Sequence, residues 1–303
     1  MLNNNIIKIS NTMKIKHLVI SGGGPSMLQY ISAIQHLTEN NIIDLNTIES
    51  IYGTSAGSIV GVLLCLKYDW ETLNDYIIKR PWHELFHFKI SYIFDAYKNR
   101  GVYSKEIIKK AFKPLFDAKD IPIDITLKGF YEYSKIEMHF LTFEVNQFKT
   151  EDVSYLTHPN VTLIDAIIMS SCIPVLFTPI IMENKCYVDG GVSANYPLNF
   201  CIDSGKNEDE ILGLCNQYDC QQKNYIDSDS NLLEFILCFF FKMFNNLTSN
   251  IVIPKIKYEI IFDVKCLNLK YLKSAITSMD VRKDLYLKGT DTAKEFINLL
   301  EKG

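Results

Sequence analysis

The residues best suited to chemistry in this chain are Ser55 and Asp189, each set beside glycine. Ser55 sits in Gly53-Thr54-Ser55-Ala56-Gly57, after a short apolar run and before a helix-like one. A serine at a sharp strand-to-helix turn has its hydroxyl pushed into the open, near the unpaired N–H groups of the helix start. Gly53 and Gly57 let neighbouring backbone approach where a side chain would clash. The chemistry this suits is nucleophilic attack, and the plainer reading is a tight turn that contains a serine. Asp189 ends an apolar run and is followed by Gly190-Gly191. An acid there is freed from the ladder and exposed, although an aspartate before two glycines is more commonly a turn-former.

A third motif lies upstream. Gly22-Gly23-Gly24-Pro25 separates an apolar run over 14–21 from Met27, Tyr30, Ile31, Ile34 and Leu37 at helical spacing. A glycine run between strand and helix presents N–H groups to an anion. Phosphate binding is the weaker use. Met27 fills the third glycine position of G-x-G-x-x-G, and no Gly-Lys-Ser/Thr follows. An oxyanion hole is the better one, because the serine turn comes on the next strand. In a right-handed βαβ unit both loops emerge at the carboxyl edge of the sheet and face each other.

The elements that must position these residues follow from periodicity. Strands are expected over 47–52, 137–145, 180–182, 185–188, 211–214 and 258–264, with a turn at Glu183-Asn184. Helices are expected over 26–40, 55–68, 70–79, 104–116, 163–171 and 277–300, the last interrupted near Gly289. The aromatic-rich stretch with Trp82, Phe86, Phe88, Tyr92, Phe94 and Tyr97 reads as a secondary packing layer ahead of a substrate flap. His83 and His87 flank Glu84 as H-E-x-x-H, but no third ligand is evident and no metal is expected. Residues 1–13 read as a loose lead-in, 14–303 as one domain, and 220–231 as a polar loop. Leu232–Phe244 is apolar on nearly every helical face. It suits a core helix or a helix meeting lipid, and both readings stay open.

Composition narrows the classes. A chain of 303 residues with an ordinary apolar and charged balance folds as a globular protein. Its formal net charge of −4 gives no argument for nucleic-acid binding. Eight cysteines show neither C-x-x-C nor zinc-finger spacing, so reduced thiols and a cytoplasmic setting are expected. No apolar stretch reaches the ~20 residues of a membrane span, and no secretory signal is apparent.

Taken together and in order, the triple glycine at 22–24, the Gly53–Gly57 turn, Ala166 through Ser170-Ser171-Cys172-Ile173-Pro174, and Asp189-Gly190-Gly191 with Asn195 and Pro197 resemble the patatin-like phospholipases. The likeness covers about 15–200 well and 205–303 loosely. It implies an α/β fold, a three-layer α/β/α sandwich with a mainly parallel central sheet. It also implies a Ser55–Asp189 dyad, an oxyanion hole at Gly22, Gly23 and Gly24, and hydrolysis of acyl esters of phospholipid or a related lipid without cofactor. One departure stands out. Ser26 and Met27 occupy the places where the family commonly has a basic residue and a glycine, which bears on head-group preference. The rivals are a Ser-Asp-His triad esterase and a catalytically silent lipid-binding protein. The triad is disfavoured by order, since all six histidines precede Asp189.

Overall fold

The computed structural model describes residues 12–87, 92–218, 225–248 and 252–302. Among these residues there are ten strands: β1 His17–Ile20, β2 Ser50–Thr54, β3 Gly101–Tyr103, β4 Glu137–Glu144, β5 Lys149–Val153, β6 Val175–Phe177, β7 Ile180–Met182, β8 Lys185–Asp189, β9 Ile211–Tyr218 and β10 Tyr258–Val264. Eight form one sheet, paired in the order β10-β9-β1-β2-β4-β8-β7 with β5 also on β4. The run β10-β9-β1-β2-β4 is parallel, while β5, β7 and β8 pair antiparallel. The short β3 and β6 make a separate parallel pair.

The two faces of this sheet divide the core. On one, Leu18, Ile20, Ile51 and Phe140 pack under the helices α1 (Met27–Glu39) and α2 (Ala56–Cys65) and the helices Leu163–Ser171 and Met279–Lys302. The alternate residues Val19, Tyr52 and Leu141 point to the other face and meet the short helix Leu198–Asp203. Side chains alternate across a strand, so near-continuous apolar runs such as Leu18-Val19-Ile20 are what a sheet covered on both sides requires. The three expected layers are present, the second helical layer being thin.

The register of β4 determines where the site can form. Phe140 pairs with Gly53 of β2 and with Val153 of β5, and Thr142 pairs with Glu151 of β5 and with Asp189 of β8. With β5 running along one edge of β4, β2 and β8 share the other edge. There β2 ends at Thr54 opposite Leu141, and β8, coming the other way, ends at Asp189 opposite Thr142.

Several expectations change in detail. The helix expected over 70–79 is α-helical only to Asn74 and continues as a π-helix over Asp75–Lys79. The C-terminal helix is continuous through Gly289, whose missing side chain admits α1: a Cβ there would stand 2.1 Å from the Gln29 carbonyl oxygen. The β7–β8 hairpin turns at Glu183 and Asn184, both at positive φ, as a two-residue hairpin favours. Met13 donates its N–H to the Ile42 carbonyl (2.8 Å); residues 1–11 of the expected lead-in lie outside those described, as do 219–224 around the polar loop. No helix among the described residues is long and apolar enough to cross a membrane.

Candidate active site

Ser55 occupies the bend between β2 and α2 with φ 53° and ψ −121°. An L-residue held there stores on the order of 1–3 kcal/mol of strain, which the surrounding contacts must overcome. They do so from three sides. The Ser55 N–H reaches the Ser170 carbonyl (3.1 Å) and hydroxyl (3.0 Å), and the Ser170 hydroxyl in turn donates to the Leu141 carbonyl at 2.7 Å. The Ser58 hydroxyl and N–H both donate to the Ser55 carbonyl. Gly57 lies so close to β1 that a Cβ would stand 2.2 Å from the Ile20 carbonyl oxygen. Gly53 likewise faces the Ser58 nitrogen at 2.6 Å. Both glycines of the turn are therefore present for close approach.

The Ser55 hydroxyl donates to Asp189 Oδ2 at 2.6 Å. The other carboxylate oxygen, Oδ1, accepts the Gly191 N–H at 2.8 Å. Gly190 passes against β4, where a Cβ would meet the Leu141 carbonyl oxygen at 2.2 Å. Asp189 is buried and not, as expected, exposed, because Gly190 lies against β4 and Gly191 folds back over the carboxylate. Burial pushes its carboxyl up to about 6 against the opposing pull of the Ser55 and Gly191 hydrogen bonds. A carboxylate deprived of water holds its proton more tightly and is a better base for it.

The three glycines of the upstream loop have different positions. The N–H of Gly22 is committed to the Asn195 carbonyl at 3.0 Å, and its own carbonyl takes the Asn216 side chain at 2.7 Å. Gly22 is thus a peptide held at both its N–H and its carbonyl. Gly23 and Gly24 line the cavity beside Ser55, and their N–H groups meet no protein carbonyl among the described residues. Gly24 is at φ +54°, a conformation that favours glycine.

The cavity measures about 680 Å³. Ser55, Asp189, Gly23 and Gly24 share it with apolar side chains, among them Ile173, Phe200, Phe241, Phe244 and Leu267. Its one lysine or arginine among the described residues is Lys242. The helix Leu232–Thr248 supplies Phe241, Lys242 and Phe244 and packs on the turn after Asp189 through Phe244 and Val192. Asn216 and Lys242 were not singled out by sequence. A strand-end asparagine and one lysine in an apolar helix are signals too common to read alone.

The other sequence candidates lie elsewhere. All six histidines are among the described residues, and none lines the cavity or bonds to Ser55 or Asp189. His139 is on the far face of the sheet, stacked on Tyr52 with ring centroids 3.9 Å apart and bonded through Nδ1 to Asp152 at 2.7 Å. The helix carrying His83 ends at Leu85, so His87 does not continue its face. Trp82 and Phe86 pack against Tyr76 and Tyr103 as a secondary layer. Phe94 and Tyr97 are exposed away from the cavity, and Phe88 lies outside the described residues. The seven cysteines among the described residues are free thiols.

Comparison with known proteins points one way. The sequence profile of the patatin-like phospholipases matches residues 18–202. A probable lipid hydrolase, 463L, of Invertebrate iridescent virus 6 is 27% identical over 214 residues, 69% of this chain and 72% of its own. An uncharacterized protein of Acanthamoeba polyphaga mimivirus, R571, is 26% identical over 209 residues, 68% of this chain and 67% of its own. In fold the chain is similar to VipD from Legionella pneumophila, with a TM-score of 0.55 at 15% identity over 94% of this chain and 67% of that one.

Proposed function

The chain belongs to the patatin-like phospholipase family, and on that premise we propose that it is a serine-dependent acyl hydrolase of phospholipid or a related acyl-ester lipid. The observation that carries this reading is the 2.6 Å hydrogen bond from the Ser55 hydroxyl to Asp189 Oδ2, inside a largely apolar cavity that Gly23 and Gly24 also line. Ser55 attacks the ester carbonyl and passes its proton to Asp189. The N–H groups of Gly23 and Gly24 hold the oxyanion that forms. When the tetrahedral intermediate collapses, Asp189 returns the proton to the departing alcohol oxygen, leaving the acyl group on Ser55. Water then gives a proton to Asp189 and its oxygen to the acyl carbon, and the fatty acid leaves as Ser55 recovers its proton.

Each neighbour has a stated part in this scheme. Ser170 and Gly57 hold the strained turn, Gly191 orients the carboxylate, and Asn195 and Asn216 fix the Gly22 peptide that leads into Gly23 and Gly24. The apolar walls take the acyl chain.

A fluorophosphonate probe tests the reading. Wild-type protein is expected to label covalently and to release fatty acid from at least one member of a panel of phospholipids, lysophospholipids and glycerides. Ser55→Ala is expected to do neither while keeping its melting temperature. Labelling that persists in Ser55→Ala, or a wild type that neither labels nor hydrolyses, rejects the proposal.

A further inference from the structure

The helix Leu232–Thr248 has two apolar sides, and only one of them is buried. Leu237 and Cys238 are buried, and Leu233, Phe241 and Phe244 pack beneath against Ile173, Leu176, Val192 and Leu267. On the other side Leu232 is 73% exposed, Phe235 51%, Phe239 57% and Met243 39%. At 100° per residue these four fall within an arc of about 80°. An outward face of this kind is normally polar. Here it carries two phenylalanines, a leucine and a methionine in one stripe.

Further exposed apolar side chains lie on the segments that border the same cavity. Tyr225 and Ile253 line it, and each has an exposed apolar neighbour, Ile226 and Val252. Val252 is anchored there by its carbonyl, which accepts the side chain of Asn199, itself a cavity residue. Three stretches separated in sequence thus expose apolar side chains around one opening. Lys242 is exposed at the flank of the stripe and also lines the cavity, the kind of place where a lysine stem covers apolar surface while its amine stays in water.

We infer that this rim is a membrane-docking surface: the Leu232–Met243 stripe lies in the acyl region of a phospholipid bilayer and seats the mouth of the Ser55 cavity on it. The choice of lipid as occupant rests on the proposed hydrolase reading. A long-chain diacyl lipid is met in a bilayer, and a cavity that takes its acyl chain must open where that chain already is. The helix is too short and too firmly packed on its inner side to span, so it rests in the interface. Because the inner side holds the turn after Asp189 through Phe244 and Val192, docking places the lipid beside the dyad without moving it.

The experiment uses Ser55→Ala full-length protein, so that docking is read without turnover, and vesicles of phosphatidylcholine. Ser55→Ala is expected to sediment with the vesicles. Adding Phe235→Ser and Phe239→Ser is expected to lower that partitioning by about tenfold or more, since binding scales with the apolar area inserted. The same two changes on active protein are expected to slow hydrolysis of vesicle lipid while leaving hydrolysis of a monomeric short-chain ester at the parent's rate. Neither residue lines the cavity, and both are half exposed or more, so the melting temperature should hold. Three results overturn the inference. One is unchanged vesicle binding in the double variant. Another is a collapsed melting temperature, which makes the stripe structural. The third is a parent that ignores vesicles but elutes as a dimer that the double variant dissociates, which assigns the face to a second copy. Vesicle binding that survives while the wild type fails to label with fluorophosphonate would reject the hydrolase reading and leave the docking surface standing.

Discussion

Thr54 and Asp189 end two strands that meet head-on along one edge of β4, opposite the consecutive residues Leu141 and Thr142. That relationship brings a serine and an aspartate 134 positions apart into hydrogen-bond contact. A strand parallel to β4 delivers Ser55, and a strand antiparallel to it delivers Asp189. Each chain must turn away at the meeting point, and both turns are made with glycine. The Ser170 hydroxyl and the Gly190 backbone both lean on the Leu141 carbonyl, so the two turns share one support.

Replacing Asp189 with Asn should separate activity from stability. Asn removes the proposed base, and loss of a positioned base typically costs ~10²–10⁴-fold in rate. Stability should move the other way. Burial pushes the folded carboxyl up to about 6, whereas the unfolded one titrates near about 4. Between those values the folded state holds the extra proton, so the contribution of Asp189 is full below pH 4 and is lost as pH rises through 6. The Asp189→Asn protein carries no buried charge at this position and should be more stable than wild type at pH 7.5 by on the order of 1–3 kcal/mol. Thermal melts at pH 4 and 7.5, with rates on a soluble ester, check both halves. Wild-type kcat/KM should fall below pH about 6 as the base is protonated, and a flat profile there removes Asp189 from that role.

The six histidines provide the control. His139→Ala strips the ring stacked on Tyr52 and leaves Asp152, its side chain 27% exposed, without its imidazole partner. A loss of about 1–3 kcal/mol in stability is expected, with turnover per folded molecule unchanged. The remaining five single alanine variants should leave turnover unchanged too. One well-folded histidine variant as slow as Asp189→Asn would restore the triad.

Much of this site was legible in the chain, for reasons that can be given residue by residue. Gly53, Gly57 and Gly190 announce close backbone approach because no other residue fits, and an apolar run before each names the strand that delivers it. What stayed hidden depended on partners far away in sequence. Nothing near Gly22 says that the Asn195 carbonyl takes its N–H, so the sequence could not set Gly22 apart from Gly23 and Gly24, the donors proposed above. Gly289 looked like a helix break because its neighbour Gln29 lies on the first helix of the fold. The stripe on Leu232–Met243 was unreadable because Phe240 and Phe241 make the segment apolar all round. Only packing shows that Phe241 turns inward while Phe235 and Phe239 face out.

Two glycine substitutions should differ sharply. At Gly57 an added Cβ would meet backbone, the Ile20 carbonyl oxygen at 2.2 Å and that of Ser21 at 2.7 Å. Neither can yield without parting β1 from α2. Gly57→Ala is expected to lose about 3 kcal/mol or more, at the upper end of overpacking costs, and to misplace Ser55. Gly205 is at φ +80° with nothing within 4 Å of the built Cβ. Gly205→Ala therefore costs only the left-handed conformation, about 1–2 kcal/mol, with full labelling of Ser55. Melting curves and probe labelling of both variants test this, and equal behaviour would show that close approach is not what Gly57 provides.

Head-group recognition leads to Lys242. The place after the triple glycine and Pro25 is held by Ser26, which is fully buried, so no lipid phosphate reaches it there. Lys242 is exposed and lines the cavity that holds Ser55. A phosphate held by its amine would sit at the cavity mouth with the acyl ester pointing inward toward Ser55. A charge-assisted bond at a partly solvated site contributes about 1–2 kcal/mol, or roughly 5–30-fold in affinity. Lys242→Ala should therefore raise KM for a phospholipid by about that factor with kcat little changed. KM for a neutral glyceride of the same acyl length should not move. Lys242→Arg should restore most of the loss, and added salt should narrow the gap between wild type and Lys242→Ala because the amine is exposed. If phospholipid and glyceride KM values rise together, Lys242 supplies only its apolar stem to the wall, and the phosphate is recognised elsewhere.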